Sequence, residues 1–479
     1  MLVRVIGWLL YIEAAFMVVP LLATLYYGDP SFPFLIAIPV TLAAATIATV
    51  VVRPRRFDMG KREGFLLTAL VWIVFSVFGM IPFMLCSTSL SLTDAFFEAM
   101  SGFTTTGASV LADIDNLSHG IHLWRSLMQW IGGMGIILFT LAVLPMLNSS
   151  GGMQMFNAEV TGITHEKLRP RVSSTAKRLW MVYTLLTAAL MALYWIGPMN
   201  GFDSICHALS TMSTGGFSTR TEALEAWNSL YIKILTMVFM FVGGINFALI
   251  FRASTGQFRA VWRNEVFRLY VWVVLGMFLV FDIALLLNPQ VPVTVEGLTI
   301  DPLFQIVSTL SSTGYAVDGI LNWGPLLTGL LIVMMFVGAC AGSTAGGAKL
   351  DRILLFGKNA GNELSRCIYP NHIMPVEVNH KVVSPDLVNK TMVFLTVYTG
   401  VILIGGLLLT ICGAPLKDAC FTSYSCVSNS ALDCVLSPEG GAYSMITPPG
   451  KWILSLLMLT GRLEIFTVLL LFVPRFWRK

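Results

Sequence analysis

Long apolar runs separated by short polar stretches dominate the chain. Runs of roughly 20 residues, enough to cross a ~30 Å hydrocarbon core, fall near 5–27, 34–52, 65–87, 122–147, 179–197, 230–251, 268–287, 325–341, 391–412 and 452–473. Ten membrane-spanning helices are therefore expected. The first run is too long for the apolar core of a signal peptide, and no clear small-residue cleavage site follows it, so it too reads as a span.

Between pairs of these runs one pattern recurs. DAFFEAMSGFTTTGAS from Asp94, DSICHALSTMSTGGFS from Asp203, DPLFQIVSTLSSTGYA from Asp301 and DACFTSYSCVSNSALD from Asp418 each open on Asp, continue as a short helix and end in an extended loop. Seven residues after each Asp stand Ser101, Ser210, Ser308 and Ser425, and thirteen after stand Gly107, Gly216, Gly314 and Ala431. Four copies in one register predict one hairpin used four times. The expected fold is an all-α membrane protein. An N-terminal helix pair covers 1–62, and four units follow about a pseudo-fourfold axis, each a helix, a re-entrant pore loop and a helix, over 63–174, 175–264, 265–387 and 388–479. The first and third units each end in a cytoplasmic loop.

In lipid, non-helical backbone is tolerated only where protein or a water-filled cavity surrounds it. The four hairpins should therefore meet. Each leading Asp suits the free N–H groups and positive end of its helix, and capping alone accounts for all four. After each helix comes a short backbone run: Thr105-Thr106-Gly107, Thr214-Gly215-Gly216, Ser312-Thr313-Gly314 and Asn429-Ser430-Ala431. Turning successive carbonyls toward one axis requires positive φ, which Gly adopts at little cost. Four such runs make a ring of oxygens that can replace the water shell of a cation. Ala431 breaks the pattern, because a side chain in the left-handed region costs on the order of 1–2 kcal/mol. Either the fourth quadrant is built differently or the register shifts there, with Ser428 the other candidate.

Two further features stand inside apolar runs. An uninterrupted helix from Trp323 to Leu355 would exceed what a bilayer needs, and Gly342, Ser343, Thr344, Ala345, Gly346 and Gly347 break it. Irregular backbone there borders a cavity or forms a small-residue packing site. GSTAGGAK is no nucleotide loop, since it lacks the GK[ST] order and follows a membrane helix instead of a strand. Arg462 lies near the middle of the last run, where Arg costs about 2.5–3.5 kcal/mol on insertion scales, so it should face protein or water. Glu464, two positions on, lies on a different helix face and is not its immediate partner.

Composition adds the class and charge adds the orientation. At 56% hydrophobic and 12% charged residues, with mean hydropathy +0.77, the chain lies outside soluble usage. Basic residues cluster at Arg53–Arg62, Lys167–Arg178, Arg252–Arg268, Lys349–Lys390 and Arg475–Lys479. These stretches face the cytoplasm, as do both termini, and the four hairpins open outward. The net charge of +4 is thus a topology signal. The outer carboxylates Asp113, Asp115, Glu222, Glu225, Asp318 and Glu439 either gather cations or simply solvate the surface. The cysteines read as small apolar fillers, Cys420 with Cys434 being the candidate bridge, and the histidines show no metal spacing. No acid, base, nucleophile or metal set suggests an enzyme. A carrier built of inverted repeats is disfavoured because all four copies open to one side.

SGFTTTGAS from Ser101, WRSLMQWIGGMGI from Trp124, FVGGINF from Phe241, FVGACAGSTAGGAK from Phe336 and GRLEIFT from Gly461 carry a further inference. Over nearly the whole chain the sequence resembles the potassium-translocating subunits of the Trk, Ktr and HKT superfamily, the bacterial TrkH type most closely. The resemblance implies a monovalent-cation pathway, with K⁺ as the transported ion and no organic cofactor. K⁺ would bind at Thr105, Thr106, Thr214, Gly215, Ser312, Thr313, Asn429 and Ser430, with Gly107, Gly216, Gly314 and Ala431 completing the filter. It also implies a gate loop over Gly342–Gly347 and a cation barrier at Arg462. A homodimer in the bacterial cytoplasmic membrane and a cytoplasmic TrkA-like ring of nucleotide-binding regulatory subunits complete the implied picture. A less selective, Na⁺-permeable transporter of the same family is the alternative that Ala431 leaves open.

Overall fold

An apolar segment crossing a bilayer must satisfy its backbone internally, and the long runs do so as helices. The computed structural model describes residues 2–51, 60–111, 113–135, 172–288, 294, 296–317, 319–370, 374–432 and 443–478. Among these residues, six helices are long and apolar enough to cross: Leu2–Tyr27, Phe32–Val50, Arg62–Leu85, Ala176–Ile196, Glu265–Leu286 and Pro385–Ile411. At ~1.5 Å per residue each reaches roughly the thickness of the hydrocarbon core. Pro325–Val337 is a shorter apolar helix. His119–Gly133 begins the run expected over 122–147, whose positions 136–147 lie outside the described residues.

Two runs expected as continuous spans are bent. Leu230–Gly243 meets Phe247–Ser254 at 106°, and Pro448–Arg462 meets Phe466–Phe472 at 117°, so the count rises to eight if each bent pair is one span. The first bend follows Gly243 and Gly244, after which the Asn246 side chain accepts from the Ala248 N–H (2.8 Å) and starts a new helix. The second passes through Glu464 and Ile465 at φ 52° and 59°. A β-branched residue there is a true backbone outlier.

The long helices carry exposed apolar side chains, such as Leu22, Leu185, Leu279 and Leu403, on the faces left for lipid. Their inward faces rely on close approach. Gly405 and Gly406 of Pro385–Ile411 show it best: a Cβ at Gly406 would fall 2.9 Å from Cys420 Cα. That contact seats one of four short helices, Leu92–Phe103, Gly201–Met212, Asp301–Leu310 and Leu416–Ser428. In the first of these every residue from Ala95 to Phe103 is buried.

The leading aspartates sit elsewhere than capping predicts. Ser91 and Asn200 are the caps, accepting from the N–H groups of Asp94 (3.2 Å) and Asp203 (2.7 Å), which lie inside the first turn. Asp301 also lies in the first turn, with Pro302 beside it, and Asp418 follows Pro415. Carboxylates there still complement the positive helix end. They also recruit cations: Lys451 Nζ lies 2.5 Å from Asp94, and Lys233 Nζ lies 3.2 Å from Asp301. Each such pair ties a short helix to a crossing helix from elsewhere in the chain. On the cytoplasmic side predicted by charge, Glu377–Val378 and Lys381–Val382 form a small antiparallel hairpin.

Candidate functional site

Each short helix ends in the same way. N–H groups of Thr105, Thr214, Ser312 and Asn429 donate three residues back, at 3.1, 3.0, 3.1 and 3.2 Å. Those of Thr106, Gly215, Thr313 and Ser430 donate five back, to Ser101, Ser210, Ser308 and Ser425, at 3.0, 2.9, 2.9 and 3.1 Å. This is the Schellman termination, whose left-handed position is usually Gly. Here it is Thr105, Thr214, Ser312 and Asn429, at φ 55°, 53°, 54° and 51°. Only the asparagine is at ease there, and each of the others stores on the order of 1–2 kcal/mol. Strain repeated in one register marks a constrained site.

Two residues on, the backbone is left-handed again at Gly107, Gly216 and Gly314, with φ 82°, 80° and 85°. Alternating handedness turns successive carbonyls toward the same side. The fourth loop keeps this register through Ser430, so Ser428 is not the residue in line; it lies in the last turn of its helix. Ala431 is not left-handed, and the cost expected of it does not arise. The fourth quadrant is built differently at that one position.

The loops then meet in order. A Cβ on Gly107 would lie 2.3 Å from Gly215 O, one on Gly216 would lie 2.0 Å from Thr313 O, and one on Gly314 would lie 3.3 Å from Ala431 N. Ala431 Cβ in turn is 3.5 Å from the Gly107 position. Asn429 closes the circle, its Nδ2 donating to Thr106 Oγ1 (3.0 Å) and to Met458 O (2.9 Å).

Side chains not anticipated from the sequence brace these loops. Four residues after three of the repeated aspartates stand Glu98, His207 and Gln305. Glu98 accepts from Val110 N–H (3.0 Å) and Gln305 from Val317 N–H (3.3 Å), while His207 Nε2 lies 3.0 Å from Ser218 Oγ. Each holds the strand that leaves its loop. Glu98 also accepts from Arg125 Nε at 2.9 Å, the two side chains being 0% and 1% exposed. Arg125 reaches on to Ser218 O (3.3 Å) and stacks over the Phe217 ring at 4.1 Å, joining the first loop to the second. Gln129 does likewise, donating to Gly215 O (2.7 Å) while accepting from Ser210 (2.8 Å) and Phe217 N–H (3.2 Å). The regular four-residue offset was the available signal for the first group. Arg125 carried only the signal of a charge inside an apolar run, and Gln129 carried none.

Beneath the loops the helix Pro325–Val337 stops at Gly338, and Leu350–Ile368 starts again after Lys349. The intervening segment presses upward. Gly346 N–H donates to Ser312 Oγ (2.5 Å), and Gly347 N–H to Ser428 O (3.1 Å). Thr344 Oγ1 donates to Gly243 O (3.2 Å), and Gly342 O accepts from Phe247 N–H (3.0 Å). Ser343 caps back on Cys340 O (2.6 Å), and Ala345 is buried. Asn246, at the first bend, donates to Ala341 O (2.8 Å).

Arg462 lies at the C-terminal end of Pro448–Arg462, not in the middle of a straight span. Its guanidinium donates to Thr344 O (2.9 Å), Gly132 O (2.5 Å) and Gly133 O (2.7 Å). Glu464 pairs with Arg352. A second cation stands close by: Lys349, expected in the inner basic loop, is instead 7% exposed and donates to Ala345 O. Gly133, Ala345, Gly346, Lys349, Asn429 and Arg462 all line a cavity of about 110 Å³ directly below the loops. Cys420 is a free thiol, and Cys434 lies outside the described residues.

Long apolar helices gathered around a buried cluster of strained polar loops define a multi-pass membrane protein of the transport class. The family of cation transport proteins named TrkH matches residues 31–479. The Trk system potassium uptake protein TrkH of Salmonella typhimurium is 36% identical, over 99% of this chain and 99% of its own. Its Escherichia coli (strain K12) counterpart is 35% identical with the same coverage. The crystal structure of the potassium transporter TrkH from Vibrio parahaemolyticus superposes with a TM-score of 0.88 at 32% identity, covering 100% of this chain and 99% of that one. The chain belongs to the TrkH family, and it is a transporter and not an enzyme.

Proposed function

We propose that this chain takes up K⁺ across the bacterial cytoplasmic membrane along the line on which its four loops meet. The observation that carries the reading is the paired left-handed backbone, repeated in one register at Thr105, Thr214, Ser312 and Asn429 and again at Gly107, Gly216 and Gly314. Carbonyls so turned replace the hydration shell of a monovalent cation. The ion sits among Thr105, Thr106, Thr214, Gly215, Ser312, Thr313, Asn429 and Ser430. Gly215 O is shared with Gln129, so that quadrant contributes less there. The buried braces at Glu98, Gln129 and Gln305 fix the ring's width, which is what discriminates between ions of equal charge.

The segment Gly342–Gly347 is the gate, with Arg462 and Lys349 as its two cations. Two unit charges 4 Å apart at an effective dielectric near 20 interact by about 4 kcal/mol, roughly a thousandfold in occupancy. A K⁺ ion entering the cavity meets both charges, and opening requires them to withdraw with the loop. A withdrawal of that kind suits an external trigger. A TrkA-like ring of nucleotide-binding subunits on the basic inner loops supplies it, acting on a homodimer whose protomers each have their own path. Both termini face the cytoplasm. The units run 63–174, 175–264, 265–387 and 388–479 behind the helix pair 1–62.

Flux into liposomes holding the purified chain, compared for K⁺, Rb⁺ and Na⁺, tests this. K⁺ and Rb⁺ should exceed Na⁺, and Arg462→Ala should raise K⁺ flux at least tenfold. Na⁺ passing as readily as K⁺, with Ala431→Gly restoring the preference, supports the less selective alternative. Flux unchanged by Arg462→Ala rejects the barrier.

A further inference from the structure

The 106° bend after Gly243 sends Phe247–Ser254 sideways, across the direction of the crossing helix. The short helix Phe258–Arg263 follows, and the long helix Glu265–Leu286 begins two residues later. Phe258 and Trp262, four apart, are 69% and 57% exposed. The Trp262 ring meets the Phe267 ring edge-on at 6.0 Å, in the first turn of that long helix. Trp262 therefore lies where a span enters the bilayer, the level at which indole rings gather.

Arg259 and Arg263, also four apart, share a neighbouring face of the same short helix and are exposed. With Asn264, Asn379 and His380 they line a cavity of about 850 Å³. Three polar neighbours are already engaged. Asn264 caps Phe267 N–H (3.0 Å), Asn379 accepts from Glu265 N–H (2.7 Å), and the Glu265 carboxylate is held by Lys358 at 2.5 Å. Among the described residues no carboxylate pairs with Arg259 or Arg263. Two guanidinium groups beside a cleft, with two aromatic rings at bilayer level next to them, match one ligand: an anionic amphiphile.

We propose that this elbow binds an anionic phospholipid of the inner leaflet. Arg259 and Arg263 hold its phosphodiester, and Phe258 and Trp262 lie along its acyl chains. The lipid class rests on the cytoplasmic orientation taken above. Guanidinium groups offer the paired donors that suit a phosphate, and basic side chains at the cytoplasmic surface favour anionic lipid. The site also leads to the gate. The elbow starts at Asn246 and Phe247, which hold Ala341 O and Gly342 O of the segment below the pore loops. A bound headgroup thus fixes the frame on which the gate is hung.

The test is native mass spectrometry of the full chain in detergent, stripped of lipid and titrated with phosphatidylglycerol or phosphatidylcholine. One phosphatidylglycerol per chain should be retained in preference to phosphatidylcholine. Arg259→Gln with Arg263→Gln should weaken that retention at least tenfold, while Arg259→Lys with Arg263→Lys keeps much of it and Arg366→Gln, another inner-side arginine, leaves it intact. Equal retention of the two lipids, or undiminished retention by the glutamine pair, overturns the proposal. Displacement by millimolar inorganic phosphate would instead mark a site for soluble anions and overturn the lipid assignment. So would a glutamine pair that keeps the lipid and loses only capture of a nucleotide-binding ring. This readout requires no ion flux, so its failure is separable from failure of the K⁺ reading.

Discussion

At the scale of single residues, the site is held by side chains whose partners are far away in sequence. Arg125 and Glu98 form a pair with neither member more than 1% exposed. Removing one member of such a pair costs about 3–5 kcal/mol, because the other is left buried and uncompensated. Arg125→Ala and Glu98→Gln should therefore each lower the thermal unfolding midpoint in detergent, Arg125→Ala the more because it also strips the bonds to Ser218 and Ser109 while Glu98→Gln keeps an acceptor for Val110. A smaller loss from Arg125→Ala would show the pair to be incidental. Arg125, a charge inside the apolar run 122–147, signalled that it needs a partner, but nothing in the spacing named Glu98 as that partner. Arg462 was legible, because a charge within an apolar run needs a partner. Lys349 was not: it stands at the head of a basic inner stretch, and only the fold shows it buried. Lys349→Met should raise K⁺ leak in the absence of any cytoplasmic partner, as a single-channel or flux measurement would register. A silent Lys349→Met would leave Arg462 as the only barrier charge.

Among elements, the four short helices and the break over Gly342–Gly347 could be read from the recurring register and the run of small residues. The bends could not. Hydropathy reports how apolar a segment is and is blind to its direction, so 230–251 and 452–473 both looked straight. Ile465 at φ 59° is a residue that sequence preference would never place there. The aspartates misled in a different way: Asp is a good cap, yet Ser91 and Asn200 stand three residues earlier and take that role. At the first bend, Asn246 both caps the following helix and holds Ala341 O. Losing the cap costs roughly 1 kcal/mol, and losing the tie frees the segment beneath the pore loops. Asn246→Ala should thus increase basal flux with only a small drop in unfolding temperature. A large drop without added flux would make Asn246 purely structural.

For the whole molecule, the class followed from composition, because a bilayer leaves a chain few choices. Apolar faces turned to lipid and a strained polar centre are two sides of one economy. The left-handed backbone of the four loops is gathered where protein covers it. What repetition could not reveal was the exception in two of the quadrants: a glutamine sharing Gly215 O in the second, and Ala431 in ordinary backbone in the fourth. On the proposed reading, these departures set how closely four similar loops approximate one ring, and so how sharply it would sort cations.

The central claim is that an ion sits where the four loops meet. Anomalous diffraction from crystals of the chain grown in Rb⁺ addresses it directly. A peak is expected on the line enclosed by Thr105, Thr214, Ser312 and Asn429, above the cavity lined by Lys349 and Arg462. Rb⁺ peaks confined to other parts of the molecule, with that line empty, would contradict it.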